Sequence, residues 1–198
     1  ARLQSFNLVH DQFYLGRSEL ATQTQAETIS AYSVDIAQSY GSFTNAKLIV
    51  EAAQRITEGQ DLPSPEQFAL LHGAVHAMAS GTKPPALVAA SYLLRLASIE
   101  GWLPTLDRCA HCDTQGWFSH FSAGSGGSVC DDCASADALR VEPGALRLMD
   151  MLLRADWQAA LAQESEHWGE ALDVSGAWVQ WQLEQRLRAL PFASIVDH

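Results

Sequence analysis

The chain has 198 residues, 47% hydrophobic and 18% charged, and is long enough to bury a core in one compact domain or two small ones. Its 23 acidic residues against 12 basic ones give a net charge of −11 with histidines neutral. That balance argues against a protein that coats nucleic acid over its whole surface, and no apolar run approaches the roughly 18 residues a membrane-crossing helix needs. Only two lysines occur, Lys47 and Lys83, so any anion site must be local and based mainly on arginine.

In chain order, residues 1–28 read as strands. Phe6, Leu8, Phe13 and Leu15 alternate within short runs, Gly16-Arg17-Ser18 signals a turn, and Glu19 to Thr24 brings threonines at period two. Two strands alone are marginal in water. The segment is therefore expected to be the closing half of a β-domain.

From Ser30 the pattern turns helical. Ser30 to Tyr40 is a short candidate helix ended by Gly41, and 43–57 carries Phe43, Ala46, Ile49, Val50, Ala53 and Ile56 at helical spacing before Gly59. Ser64-Pro65-Glu66-Gln67 is a start signal, with Ser at the cap, Pro in the first position and Gln reaching back. The helix it opens should present Phe68, Leu71, Val75 and Met78 and stop at Gly81; another should run from about Pro85 to Glu100. After a Gly- and Ser-rich stretch over 113–129, helices are expected over 143–154, over 156–163 with Asp156 as cap, and over 167–190.

All four cysteines fall between positions 109 and 133, as C-x2-C, seventeen residues, C-x2-C. Tetrahedral zinc suits this spacing, because each C-x2-C turn brings two thiolates onto one ion and a second turn completes the shell. Cys109, Cys112, Cys130 and Cys133 are the expected ligands of one structural Zn2+, in a finger spanning about 105–135. Four cysteines leave no open position for a catalytic water, and redox C-x-x-C motifs sit singly in α/β settings. His111, between the first two cysteines, is an alternative ligand but reads more simply as a solvated side chain.

The ordered motifs resemble the RecO recombination-mediator family of bacterial DNA repair. The resemblance rests on Ala1 to Phe6, Gly16 to Leu20 and Thr22 to Glu27 at the front, then Ala90 to Arg95 and Gly101-Trp102-Leu103-Pro104 leading into the first cysteine pair. Phe121-Ser122, Gly126-Gly127 and the second cysteine pair follow, and Trp181 to Leu190 closes the set. The resemblance implies a mainly α protein with a small β part: the C-terminal half of an OB-fold over 1–28, then a helical domain over 29–198 with the embedded four-cysteine zinc finger.

It further implies a cytoplasmic, nucleoid-associated, non-enzymatic mediator that binds single- and double-stranded DNA and anneals complementary strands. Its partners would be RecR and single-strand-binding protein, with no membrane and no small-molecule substrate. Arg2 and Arg17 are the best-placed phosphate contacts, and Tyr14, with Phe6 and Phe13, is a possible base-stacking ring. The plainer reading puts Phe6 and Phe13 in a barrel core. Nine acids against four arginines over 141–198 make the tail a poor DNA surface. Trp178 and Trp181, three apart on one helix, are a candidate groove for a partner's peptide, set against simple packing. Two other functions compete: a zinc-stapled helical adaptor binding only proteins, and a thiol redox enzyme.

Overall fold

The computed structural model describes residues 4–15, 21–58 and 64–193. Strands β1 (Leu8–Leu15) and β2 (Ala21–Ser30) form an antiparallel hairpin in which Leu15 faces Ala21 and Leu8 faces Ser30. The register slips between Leu8 and Val9 and between Gln12 and Phe13. β2 runs past the expected boundary at 28. It thereby shortens the first candidate helix to α1 (Ser33–Ile36), whose entry is tied back to the hairpin's lead-in: Ser33 N–H donates to Asn7 Oδ1 at 3.1 Å.

Helix α2 (Tyr40–Thr57) contains Gly41 rather than stopping at it. A cap upstream of the expected start decides it: the Ser39 hydroxyl accepts from Ser42 N–H at 3.2 Å, and the apolar positions behind it drive that helix into the core. Helix α3 (Pro65–Ser80) opens on Ser64, which accepts from Gln67 N–H at 3.3 Å, and closes on Gly81 in the left-handed region at φ 61°. The expected reciprocal half of the capping box does not form, because the Gln67 carboxamide donates to Glu100 at the end of the next helix. The buried face is also rotated from the expected one: Leu70, Ala74, Val75 and Met78 point inward while Phe68 is 58% exposed.

Helix α4 (Pro85–Ile99) is the axis of the molecule. It is buried almost all round from Ala86 to Ala97 and packs against α2, α3, α5 (Pro143–Leu153) and α7 (Glu166–Leu183). An apolar helix without a polar face requires such a central position. The Ser91 hydroxyl, buried in this setting, is satisfied by the Leu152 carbonyl at 2.9 Å. Short α6 (Trp157–Leu161) is capped as expected by Asp156, which accepts from Ala159 N–H at 3.1 Å.

The expected helix over 167–190 ends seven residues early. Glu184 takes a left-handed conformation at φ 54°, and the chain folds back into α8 (Leu190–Ala193). Captured backbone groups hold this reversal: Gln180 Oε1 accepts from Leu187 N–H at 2.8 Å, and the Glu51 carboxylate accepts from Arg188 and Ala189 N–H at 2.9 and 2.8 Å. The reversal delivers Leu187 and Leu190 to the core, where Leu190 lies close against Gly176 of α7.

Between α4 and α5 lies a small three-stranded sheet in the order β4 (Gly127–Val129), β3 (His120–Ser122), β5 (Leu139–Arg140). The protein is thus mainly α with a small β part. Among the described residues no helix is long and apolar enough to cross a membrane.

Candidate metal centre

The four cysteines sit on two turns flanking this sheet. The first turn tops a narrow ribbon closed by an Arg108–Gln115 bridge, in which Cys109 N–H donates to the Thr114 carbonyl at 2.8 Å and Asp113 N–H to the Cys109 carbonyl at 2.9 Å. Asp113 adopts φ 60°, which turns the backbone sharply after Cys112. The second turn leaves the end of β4, with Cys133 N–H donating to the Cys130 carbonyl at 3.0 Å. A third segment clamps the two together, as Thr105 pairs in parallel with Gly127. Ala110 N–H also reaches the Ser128 carbonyl at 2.7 Å.

The four sulfurs all lie within 4.8 Å of one another, and none is in a disulfide. Cys112 Sγ and Cys130 Sγ are 3.8 Å apart. A tetrahedron with arms of about 2.3 Å has edges of about 3.8 Å, so the set is sized for a tetrahedral thiolate site. Around Cys109 the burial that would raise its pKa is outweighed by backbone N–H groups of Cys130, Cys112 and His111 aimed at the sulfur, which bring it down to about 6. Cys130 N–H, for one, lies 3.4 Å from it. Cys133, crowded chiefly by Cys130 and then by its own desolvation, is pushed up to about 12. Four sulfurs this close cannot all ionise unless a cation neutralises them. These residues could hold a metal ion. His111 is exposed and outside the cluster.

The cysteine module is fastened to the helices through Phe121 and Trp178. Phe121 of β3 is 1% exposed and meets the Trp178 indole edge-on, with ring centres 5.9 Å apart. Trp178 Nε1 donates to the Trp102 carbonyl at 2.8 Å. The signal for Phe121 was its place as the one aromatic in a short strand between cysteine pairs. Its helical partner Trp178 stood out only as a groove or packing candidate, and nothing local in the sequence paired it with Phe121.

The other candidate residues fare differently. Arg2 and Arg17 lie outside the described residues. Tyr14 and Phe13 are 66% and 60% exposed on β1, so Phe13 does not fill a core here. Phe6, at φ 72°, packs on α2, its ring 5.8 Å from Phe43, and not within the hairpin. Trp178 and Trp181 do not share an open face: Trp178 is 3% exposed and committed to the core, while Trp181 is 56% exposed. Three residues of helix turn one indole past the edge of the core face, so only Trp181 lines the open concavity beside Gly124 and Leu139. Arg108 is a surface charge held by Asp107 at 3.4 Å and Asp113 at 3.5 Å.

Fold and site together define a mainly helical protein carrying a four-cysteine module inserted between two core helices. Residues 38–191 match the family described as Recombination protein O C terminal. The chain is 38% identical over 192 residues to a DNA repair protein RecO from Frankia casuarinae, covering 97% of this chain and 79% of the relative. It is also 38% identical over 197 residues to the protein of that name from Streptomyces coelicolor (97% and 79% covered). The corresponding figure for Thermobifida fusca is 35% over 190 residues (96% and 78%). The chain belongs to the RecO family of DNA repair and recombination proteins.

Proposed function

We propose that this chain is a recombination mediator that binds single- and double-stranded DNA, anneals complementary strands, and acts with RecR and single-strand-binding protein to load recombinase. Its setting is the cytoplasm, at the nucleoid. The observation that carries this reading is the family match across 38–191, which includes both cysteine pairs and the helices that seat them. In this reading residues 1–28 are the closing half of an OB-fold, the helical domain runs over 29–198, and Arg2, Arg17 and Tyr14 contact DNA. Trp181 is the exposed ring of a groove for a partner's peptide.

The cysteine cluster holds one Zn2+ in the same proposal, with Cys109, Cys112, Cys130 and Cys133 as ligands. Bound there, zinc supplies folding free energy, about 10 kcal/mol or more in small zinc peptides. It also neutralises the thiolates that crowd Cys133. The protein's own contribution is the framework of N–H groups on Cys109 and the Thr105–Gly127 clamp, which bring the two turns to one point. A stapling role follows from the filled coordination shell, and it leaves the ion no substrate position.

Strand annealing by the chain, followed with fluorescently labelled complementary oligonucleotides across a salt series, tests the proposal. The expected result is annealing that weakens steeply with salt, as phosphate contacts require. The net charge of −11 favours a second reading, an adaptor that binds proteins alone. Stable RecR binding with no detectable binding of either DNA form would establish that alternative instead.

A further inference from the structure

Among the described residues of this acidic chain, the groove between α2 and α8 has more cations than acids in its lining. Between α2 and α8 a concavity of about 650 Å3 is lined by Tyr40, Phe43, Lys47, Glu51, Arg188 and Phe192 among others. Tyr40, Phe43 and Phe192 are 53%, 40% and 56% exposed. Lys47 Nζ lies 5.5 Å from the centre of the Phe6 ring and 5.7 Å from that of Phe43, in the range of a cation–π contact with each. Among the described residues neither Lys47 nor Arg188 has a carboxylate partner. A further cation in the lining, Arg55, is held by Glu58 at 3.3 Å. The acid in the lining, Glu51, has both oxygens engaged by the backbone N–H groups of Arg188 and Ala189. Its carboxylate is thus fixed against the loop that carries Arg188, and the lining still holds three cations (Lys47, Arg55, Arg188) to this one acid.

We propose that this α2–α8 groove is a track for single-stranded DNA, with bases stacking on Phe43, Tyr40 and Phe192 and phosphates held by Lys47 and Arg188. The inference rests on the mediator reading and gives it a surface within the helical domain. Two features favour a nucleic-acid strand over an acidic peptide. Among the described residues no Leu, Ile, Val or Met lines the groove, so they form no aliphatic hole of the kind that seats a peptide side chain. What it offers instead is exposed aromatic rings beside Lys47 and Arg188, which have no carboxylate partner among the described residues, the pairing that recognises unstacked bases on a charged backbone.

The test is binding of a labelled oligothymidylate to the whole chain by fluorescence anisotropy, across a salt series. The Lys47→Ala/Arg188→Ala double variant should bind at least about fivefold more weakly at 0.1 M salt. Its log–log salt slope should be shallower by about 1.4, the contribution of two lost phosphate contacts to a single strand. The Phe43→Leu/Phe192→Leu variant should lose several-fold in affinity with the slope unchanged, since stacking is not ionic. Lys83→Ala, in a separate groove over Trp157, should match wild type and so rule out a general charge effect. If wild type binds while both double variants bind equally well, the groove assignment falls and the mediator reading stands. Absence of any binding by wild type overturns both. An acidic, phenylalanine-containing peptide whose binding the variants abolish while DNA binding persists would reassign the groove to a protein partner and overturn the proposal.

Discussion

Gly127 shows how much of the cysteine cluster's framework hangs on single backbone positions. It begins β4 at φ 151°, and a Cβ there would lie 2.1 Å from the Thr105 carbonyl oxygen and 2.7 Å from its nitrogen. Those are the backbone groups through which residues 105 and 127 bridge, so an added methyl cannot be accommodated by a side-chain shift. Gly127→Ala is expected to cost about 2–4 kcal/mol, the sum of backbone strain and overpacking. A urea titration of the metal-loaded protein measures this, and a midpoint equal to wild type would count against it. Side-chain identity at Phe121 and Trp178 matters for a different reason. Their edge-to-face contact is where the module grips the helices, so its content is area buried and not a hydrogen bond.

At the scale of elements, the local rules worked where starts and stops were made of neighbouring residues. Ser64 and Asp156 cap the helices they were expected to cap, and Gly81 ends α3 in the conformation glycine favours. They failed where a distant group competed. Gln67 turned away from its own cap because Glu100 was within reach, and α7 stopped at Glu184 because Glu51, on another helix, captures the N–H groups beyond it. Glu184 itself holds a left-handed conformation without the glycine that usually supplies it. Glu184→Gly should therefore stabilise the protein by about 0.5–1 kcal/mol. A rise in midpoint of about 2 °C by calorimetry is the expected size for a chain of this length. A fall would mean that the glutamate side chain contributes more than its backbone costs.

At the scale of the whole molecule, a metal ion held by the four cysteines would support one part far more than the other. The helical core around α4 buries Leu87, Leu93, Leu94, Leu146 and Leu148 without help from the cysteines. The segment from 105 to 135 fully buries few large apolar side chains, Leu106, Phe121 and Val129, with Trp117 only partly buried against the core. Removing the metal with a chelator should therefore unfold 105–135 first and leave most of the helical circular dichroism in place. Hydrogen exchange read by mass spectrometry resolves the two regions, and protection over 105–135 that survives complete metal loss would refute the expectation. A metal ion bound by the four cysteines should also be held less tightly as pH falls, because they would bind it as thiolates and protons compete for each of them.

Sequence alone determined the things that depend on near neighbours: the spacing of two C-x2-C turns, the periods of two and 3.6 that separated the hairpin from the helices, and most of the caps. The ordered motifs likewise carried the family, which the matches to relatives then showed. Tertiary structure decided which face of α3 is buried, that Trp178 belongs to the core and Trp181 to the surface, and that the final helix breaks to expose Arg188 beside Lys47. The reason is one of range. Cap geometry and ligand spacing are settled within one or two turns of chain, whereas burial and charge pairing are settled by whatever the fold brings alongside, as Glu51 is brought to residue 188.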